Sequence, residues 1–154
     1  MYTLVTVDWL GTKFEVYNDS QIIGTIVNKV PWLKYRSIIT VNDTKYIAYR
    51  ESLMGKWLFS SNENNAVIAT AIKPSFFTDK FIIQYNSQEL SLSSPQLSIK
   101  NYFIIERNNI EIGMIKRPGL VTNKWVCTIS DDIPAEIIHF MFYLSRIVIS
   151  SRSS

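Results

Sequence analysis

Hydrophobic and polar residues alternate in short runs along most of the chain, up to about residue 130. The segments "KFEVYN" (13–18) and "KFIIQYN" (80–86) are typical of this pattern. A period of two residues predicts half-buried β-strands. The runs are separated by Asn, Asp and Ser residues, such as Asn108-Asn109, which favour tight hairpin turns. The pattern predicts twelve short strands, the first of them over residues 2–10.

Three of the predicted hairpins share a pattern. An aromatic residue stands ten positions before a small residue that directly follows an isoleucine: Phe14 with Ile23-Gly24, Phe59 with Ile68-Ala69, Phe103 with Ile112-Gly113. The spacing between units is 45 and 44 residues, which is near the period of a β-propeller blade. A propeller needs about four blades to close, so we interpret the pattern as one hairpin type repeated around a barrel.

The most apolar segment, residues 133–149, follows the last predicted strand. Asp131 and Asp132 are candidate N-caps, and Pro134 suits the first turn of a helix. Twelve of the 17 residues are apolar and cover every face of a helix, so the helix must be enclosed by protein or by lipid. Arg146 within the segment is costly in a bilayer.

A barrel of twelve strands offers this helix a place. At about 4.8 Å between strands and a tilt of about 40°, such a barrel has a diameter of roughly 24 Å, which leaves an axis about as wide as a helix. A void of that size does not persist in a protein core. We therefore predict a mainly β (α+β) fold in a single domain, 1–154. It is a closed antiparallel barrel of about twelve strands around a buried helix at 133–149, within a C-terminal segment, 131–150, that threads the barrel. Glu136 and Arg146 should lie near its two mouths.

The hairpins "FEVYNDSQIIGTI" and "YFIIERNNIEIGMI" and the closing "ISDDIPAEIIHFMFYLSRIVI" resemble the tubby C-terminal-like superfamily. This superfamily includes tubby proteins, phospholipid scramblases and LURP-one-related proteins. The resemblance implies a tubby-like barrel with a central hydrophobic helix. Tubby domains bind phosphoinositide headgroups through a basic pocket, and scramblases are membrane-attached and calcium-sensitive. The scramblases' cysteine cluster is absent, and Asp131 and Asp132 are too few ligands for a calcium site.

Composition narrows the functional classes. A net charge of +3 is mildly basic, which suits an anionic partner but not a nucleic-acid binder. The single cysteine, Cys127, excludes an internal disulfide and a multi-cysteine metal site. The N-terminal segment has no signal-peptide pattern, so we expect a cytoplasmic location, with peripheral contact to a membrane as an option. No cofactor or metal is expected.

Cys127 and His139 are the residues with the greatest potential for catalysis, and we interpret both as core residues. Cys127 alternates with Trp125 and Ile129 on one side of the last strand. His139 lies on the apolar helix and has no second histidine with which to bind a metal. A Cys127/His139 pair inside the barrel would be sealed from substrate, so no enzyme activity is expected.

The segment "KVPWLKYR" (29–36) is the strongest candidate binding site. Lys29, Trp32, Lys34, Tyr35 and Arg36 combine positive charge with aromatic rings next to a proline loop, which suits anionic lipid headgroups or a partner interface. The alternative is a solvated loop with the tryptophan tucked into the barrel mouth. A weaker basic cluster is formed by "MIKRPG" (114–119) with Lys124.

The sequence thus predicts a monomeric, non-enzymatic binding or scaffold module that contacts an anionic phospholipid or a protein. The alternative is a membrane-attached protein, scramblase-like or tail-anchored, with residues 133–149 as the anchor.

Overall fold

The computed structural model describes residues 1–29, 36–95, 102–119 and 122–152. They form twelve strands and one helix: β1 Tyr2–Thr6, β2 Lys13–Asn18, β3 Gln21–Asn28, β4 Arg36–Val41, β5 Thr44–Arg50, β6 Trp57–Ser61, β7 Val67–Ile72, β8 Asp79–Tyr85, β9 Gln88–Ser94, β10 Tyr102–Arg107, β11 Ile110–Lys116, β12 Lys124–Ile129 and α1 Ala135–Arg152.

The strands form one closed antiparallel barrel in which each strand pairs with its neighbours in sequence. The barrel closes where β1 pairs with β12, with Tyr2 opposite Cys127 and Leu4 opposite Trp125. Alternate residues of the strands point inward, as in β8, where Phe81 and Ile83 are fully buried. The predicted barrel of twelve strands is confirmed.

Helix α1 fills the barrel. All nine residues from Ile137 to Ser145 are buried, and because successive residues point to every side of a helix, only a surrounding wall can bury them all. The helix and the inward residues of the strands form one hydrophobic core. The ring of Phe140 stacks on that of Phe59 in β6 at a centroid distance of 5.1 Å. The buried helix is confirmed, with bounds shifted two to three residues toward the C-terminus.

The start of α1 differs from the prediction. Asp131 and Asp132 precede the helix but do not cap it. The carboxylate of Asp132 accepts hydrogen bonds from Arg107 at 2.6 Å and from the hydroxyl of Ser130 at 2.5 Å. The carbonyl of Pro134 instead accepts the first helical hydrogen bonds, from Ile137 and Ile138. The N-cap prediction was wrong because the helix begins only at Ala135 and the Asp132 carboxylate is bonded to Arg107 and Ser130 instead.

The first strand is shorter than predicted. It ends at Thr6, and residues 7–10 leave the sheet. The Asp8 carboxylate accepts hydrogen bonds from the backbone amides of Thr12 and Lys13, and Gly11 adopts a φ of 66°. These local bonds compete with strand pairing, so a run that alternates like a strand folds as a loop.

The repeated Phe…Ile-small pattern marks three β-bulges. The register shifts within the β2–β3, β6–β7 and β10–β11 pairs, and the extra, unpaired residues are Ile23, Ile68 and Ile112. All three pack against the core. A bulge bends its strand and increases the local twist, and the three bulges recur every fourth strand. The sequence repeat therefore corresponds to three β-bulges that curve the barrel wall.

Candidate functional site

The two ends of the barrel differ in their connections. At one end, here called the turn end, two-residue turns join β2–β3, β4–β5, β8–β9 and β10–β11. Most of the residues in them adopt positive φ, among them Asn42 and Asp43, as type I′ turns require. The opposite end, here called the loop end, carries the longer β1–β2, β5–β6, β7–β8 and β11–β12 connections. Loops of this kind commonly hold binding residues.

Three of these loops present large apolar side chains to solvent. Trp9 is 92% exposed, Leu53 is 84% exposed and Phe77 is 83% exposed, and each lies in a different loop. Their neighbours Leu10, Met54 and Phe76 are also exposed. Isolated exposed apolar residues are ordinary, but a set gathered on one end of a molecule indicates an interaction site. We call Trp9, Leu53 and Phe77 the apolar tips.

Hydrogen bonds hold the loops that carry the apolar tips. The first loop is held by the Asp8 carboxylate, as described above. In the second, the amide of Glu51 bonds the carbonyl of Lys56 at 2.9 Å, and the Arg50 guanidinium donates to the carbonyl of Gly55. In the third, the amide of Phe77 donates to the hydroxyl of Ser75 at 3.1 Å. The tips are therefore presented in defined loop conformations, which lowers the entropic cost of binding.

Charge is separated along the barrel axis. The strands alternate in direction, so the position of a charged residue within its strand or connection shows which half of the barrel holds it. The loop half holds twelve of the described cationic residues: Lys13, Lys29, Arg36, Arg50, Lys56, Lys73, Lys80, Lys116, Arg117, Lys124, Arg146 and Arg152. It holds four acidic ones: Asp8, Glu15, Glu51 and Asp79.

The turn half has the opposite balance. Only Lys45 and Arg107 are cationic there among the described side chains, against nine carboxylates: Asp19, Asp43, Glu63, Glu89, Glu106, Glu111, Asp131, Asp132 and Glu136. Such a distribution orients a protein in the field of a charged partner and speeds association. An anionic partner meets the loop end first.

The predicted site at 29–36 falls partly within the described residues. Lys29 follows β3 and Arg36 begins β4, directly beyond Asn28 and Ser37, the last residues that pair between these two strands. Both are exposed at the loop end. Trp32, Lys34 and Tyr35 lie outside the described residues. The second predicted cluster, which includes Lys116, Arg117 and Lys124, lies at the same end, so the structure brings the two sequence clusters to one face.

The sequence prediction missed the apolar tips. The alternating pattern assigns Trp9 and Leu10 to the first strand. It gives no role to Leu53 and Phe77. The available signal was a pair of large apolar residues inside each of three connections: Trp9-Leu10, Leu53-Met54 and Phe76-Phe77. A turn without a binding role rarely carries such pairs, because they gain nothing from solvent.

Cys127 and His139 are both fully buried. Burial raises the pKa of the Cys127 thiol to about 12, so little thiolate forms at neutral pH. His139 packs against Gly24 in β3, and β1 and β2 separate that strand from β12, which carries Cys127. The two residues are buried against different parts of the wall.

The described residues contain no group of three or more His, Cys, Asp or Glu side chains placed to hold a metal ion. In the same part of the chain, no helix combines the length and apolar character required to cross a bilayer.

Comparisons of the chain with protein-family models, with curated proteins and with solved structures found no match.

Proposed function

We propose that this protein is a non-enzymatic binding module that docks with its loop end on an anionic phospholipid surface. The observation that carries the proposal is the combination of the three apolar tips with the cationic half of the barrel. Tips of this kind enter the boundary between headgroups and acyl chains, while the cations around them remain among the lipid phosphates.

The magnitudes favour a joint action of tips and charges. Full burial of a Leu- or Phe-sized side chain contributes about 1.5–3 kcal/mol. Each Lys or Arg near an anionic surface contributes about 1 kcal/mol. Neither contribution alone gives stable attachment, but several of each together support reversible peripheral binding. Lys29 and Arg36 then serve as headgroup contacts beside the tips, which retains part of the site predicted from the sequence.

A protein partner is less favoured as the main ligand. Protein interfaces usually have a contiguous apolar centre surrounded by a polar rim, whereas the apolar tips here stand on three separate loops and are interspersed with cations. The tail-anchor alternative is not favoured either, because α1 supplies the centre of the core and its removal would open the barrel.

The architecture supports membership of the tubby-like superfamily as a further proposal. The support is the order of twelve antiparallel strands followed by an enclosed helix. This support concerns the fold and not the function.

Vesicle co-sedimentation tests the docking proposal. Wild type should bind vesicles of phosphatidylcholine with phosphatidylserine, and bind phosphatidylcholine alone much more weakly. The triple variant Trp9→Ser/Leu53→Ser/Phe77→Ser should lose at least about tenfold in affinity, because three partly inserted side chains are removed. Lys29→Glu/Arg36→Glu should also weaken binding, and raised salt should weaken wild type.

The turn end provides matched controls. Ile110 is 67% exposed in the β10–β11 hairpin, so Ile110→Ser removes an exposed apolar side chain from the other end. Lys45→Glu reverses a positive charge at the turn end. Both should bind vesicles like wild type. Equal losses in the turn-end and loop-end variants, or no binding by wild type, would refute docking by the loop end.

A further inference from the structure

A cavity opens beside helix α1 at the loop end of the barrel. It is lined by residues of the β1–β2 loop, β2, β3 and the last turns of α1, among them Thr12, Asn28, Tyr143, Arg146 and Ser150. Its volume is about 200 Å³, room for about six water molecules. Sites for whole organic ligands are usually larger, so the cavity suits one compact chemical group.

Arg146 lines this cavity as a cation that has no anionic partner among the described residues. By contrast, Arg107 and Arg152 each form an ion pair with an aspartate. The guanidinium of Arg146 instead lies over the ring of Phe14, 5.1 Å from its centroid. Its Nε is buried and has no hydrogen-bond partner within the described part of the chain. Arg146 is only partly exposed, and withdrawing a cation from water without a counter-charge is costly, which makes this arrangement unusual for a purely structural residue.

The surroundings of Arg146 increase the positive potential. Burial, and secondarily the positive charge of Arg117, lower the pKa of the Arg146 guanidinium, which nevertheless stays protonated because its ordinary pKa is so high. Of the described residues that line the cavity, none is acidic. The described part of the cavity wall therefore carries no charge that neutralises the cation.

Hydrogen-bond donors accompany the charge. The side-chain oxygen of Asn28 accepts the hydroxyl proton of Ser37, so the amide nitrogen of Asn28 is left to donate. Ser150, which carries a hydroxyl group, and Tyr143 line the helix side of the same cavity. Asn28 on β3 and Ser150 on α1 therefore offer donor groups from two different elements. A phosphate group, which carries several acceptor oxygens, can accept hydrogen bonds from both.

We propose that this cavity binds a phosphate group, with Arg146 as its principal ligand. The positive charge of Arg146, which no described lining residue neutralises, favours an anion. The phosphate group belongs either to a soluble phosphate ester or to the headgroup of a lipid at the loop end. The proposal does not depend on membrane docking, because it concerns a cavity that can be filled from solution.

Titration with inorganic phosphate at constant ionic strength tests the site without a membrane. In calorimetry, wild type should bind one phosphate saturably, and the Nε–H resonance of Arg146 should shift with the same dissociation constant. Arg146→Met keeps the side chain's length and removes its charge. It should fold about as stably as wild type, since it removes a partly buried cation that has no counter-charge among the described residues, and should bind phosphate at least about tenfold more weakly.

Lys124→Met is the matched control, because Lys124 is a loop-end cation that does not line the cavity. It should change phosphate affinity less than about twofold. A non-saturating wild-type titration, or equal phosphate affinity in wild type and Arg146→Met, would overturn the proposal. If Arg146→Met does not fold, the resonance of Arg146 in wild type decides the question alone.

Vesicles distinguish the two sources of the phosphate group. If Arg146→Met weakens binding to phosphatidylcholine vesicles that contain phosphatidic acid as much as it weakens binding of free phosphate, the ligand is a lipid headgroup. If only free phosphate is affected, the ligand is a soluble ester. The triple tip variant should bind free phosphate like wild type, so failure of docking and failure of this site give different results.

Discussion

Gly24 and His139 meet where helix α1 approaches β3. A Cβ added at Gly24 would overlap the carbonyl oxygen of Thr40 and the Nε2 atom of His139. The glycine is therefore required for close approach rather than for its backbone angles. Gly24 directly follows the bulged residue Ile23. The small residues Ala69 and Gly113 hold the same place after Ile68 and Ile112.

We expect Gly24→Ala to lower the free energy of unfolding by about 2 kcal/mol or more, because overpacking of a rigid site is costly. Urea denaturation measures it. Gly119→Ala is the control, since a Cβ there meets nothing within 4 Å, and should have little effect. His139→Ala should not rescue Gly24→Ala, because the carbonyl of Thr40 belongs to the backbone and remains. A full rescue would show that the imidazole alone requires the glycine.

The imidazole of His139 makes stability depend on pH. Its Nδ1 lies 2.7 Å from the carbonyl oxygen of Ala135, so Nδ1 carries the proton, and Nε2 is buried without a partner among the described residues. Burial lowers the pKa of His139 from 6.5 to about 4. Between these two pH values the unfolded chain binds a proton that the folded chain does not.

Stability should therefore be lost as pH falls from about 6.5 to about 4, by up to about 3 kcal/mol from this group, and the contribution is constant above 6.5. Denaturation of wild type and His139→Leu across this range isolates the effect, because the carboxylates contribute equally to both. Parallel pH profiles for the two proteins would contradict the assignment.

At the scale of elements, periodicity predicted the strands and the helix because each buries a regular set of positions. It predicted too long a strand at β1. The alternation continues into residues 7–10, but the hydrogen bonds of Asp8 and the positive φ of Gly11 form a loop there. Local side-chain bonds are invisible to a pattern of polarity alone. The N-cap prediction at Asp132 failed for a related reason, because Arg107, which binds that carboxylate, is remote in sequence.

Helix α1 is the element on which the barrel depends most. We expect deletion of residues 133–154 to abolish the cooperative unfolding transition and the near-ultraviolet circular dichroism signal, because a barrel of this width cannot fill its own axis. On a smaller scale, Phe140→Ala should cost about 3–5 kcal/mol. The exposed Phe77→Ala should leave the melting temperature nearly unchanged. A stable, monomeric barrel without α1 would contradict the dependence.

At the scale of the whole molecule, the net charge of +3 conceals a strong separation of charge. Chain position alone could have revealed it, because cations flank the long connections and carboxylates flank the tight turns, as Lys73 and Glu89 illustrate. The Arg146 cavity was beyond prediction. The sequence predicts that Arg146 lies near a barrel mouth but could not show that no carboxylate of the described residues pairs with it, since that depends on which strands face the helix.

The position of α1 after all twelve strands has a consequence for biosynthesis. A ribosome releases β1 early, yet its partner strand β12 and the helix emerge only after more than 120 further residues, as the pairing of Tyr2 with Cys127 shows. Until α1 emerges, the inward faces of the strands have no helix against which to pack. Closure is thus a late event, and the nascent hairpins expose apolar faces and unpaired edges of the kind that chaperones bind.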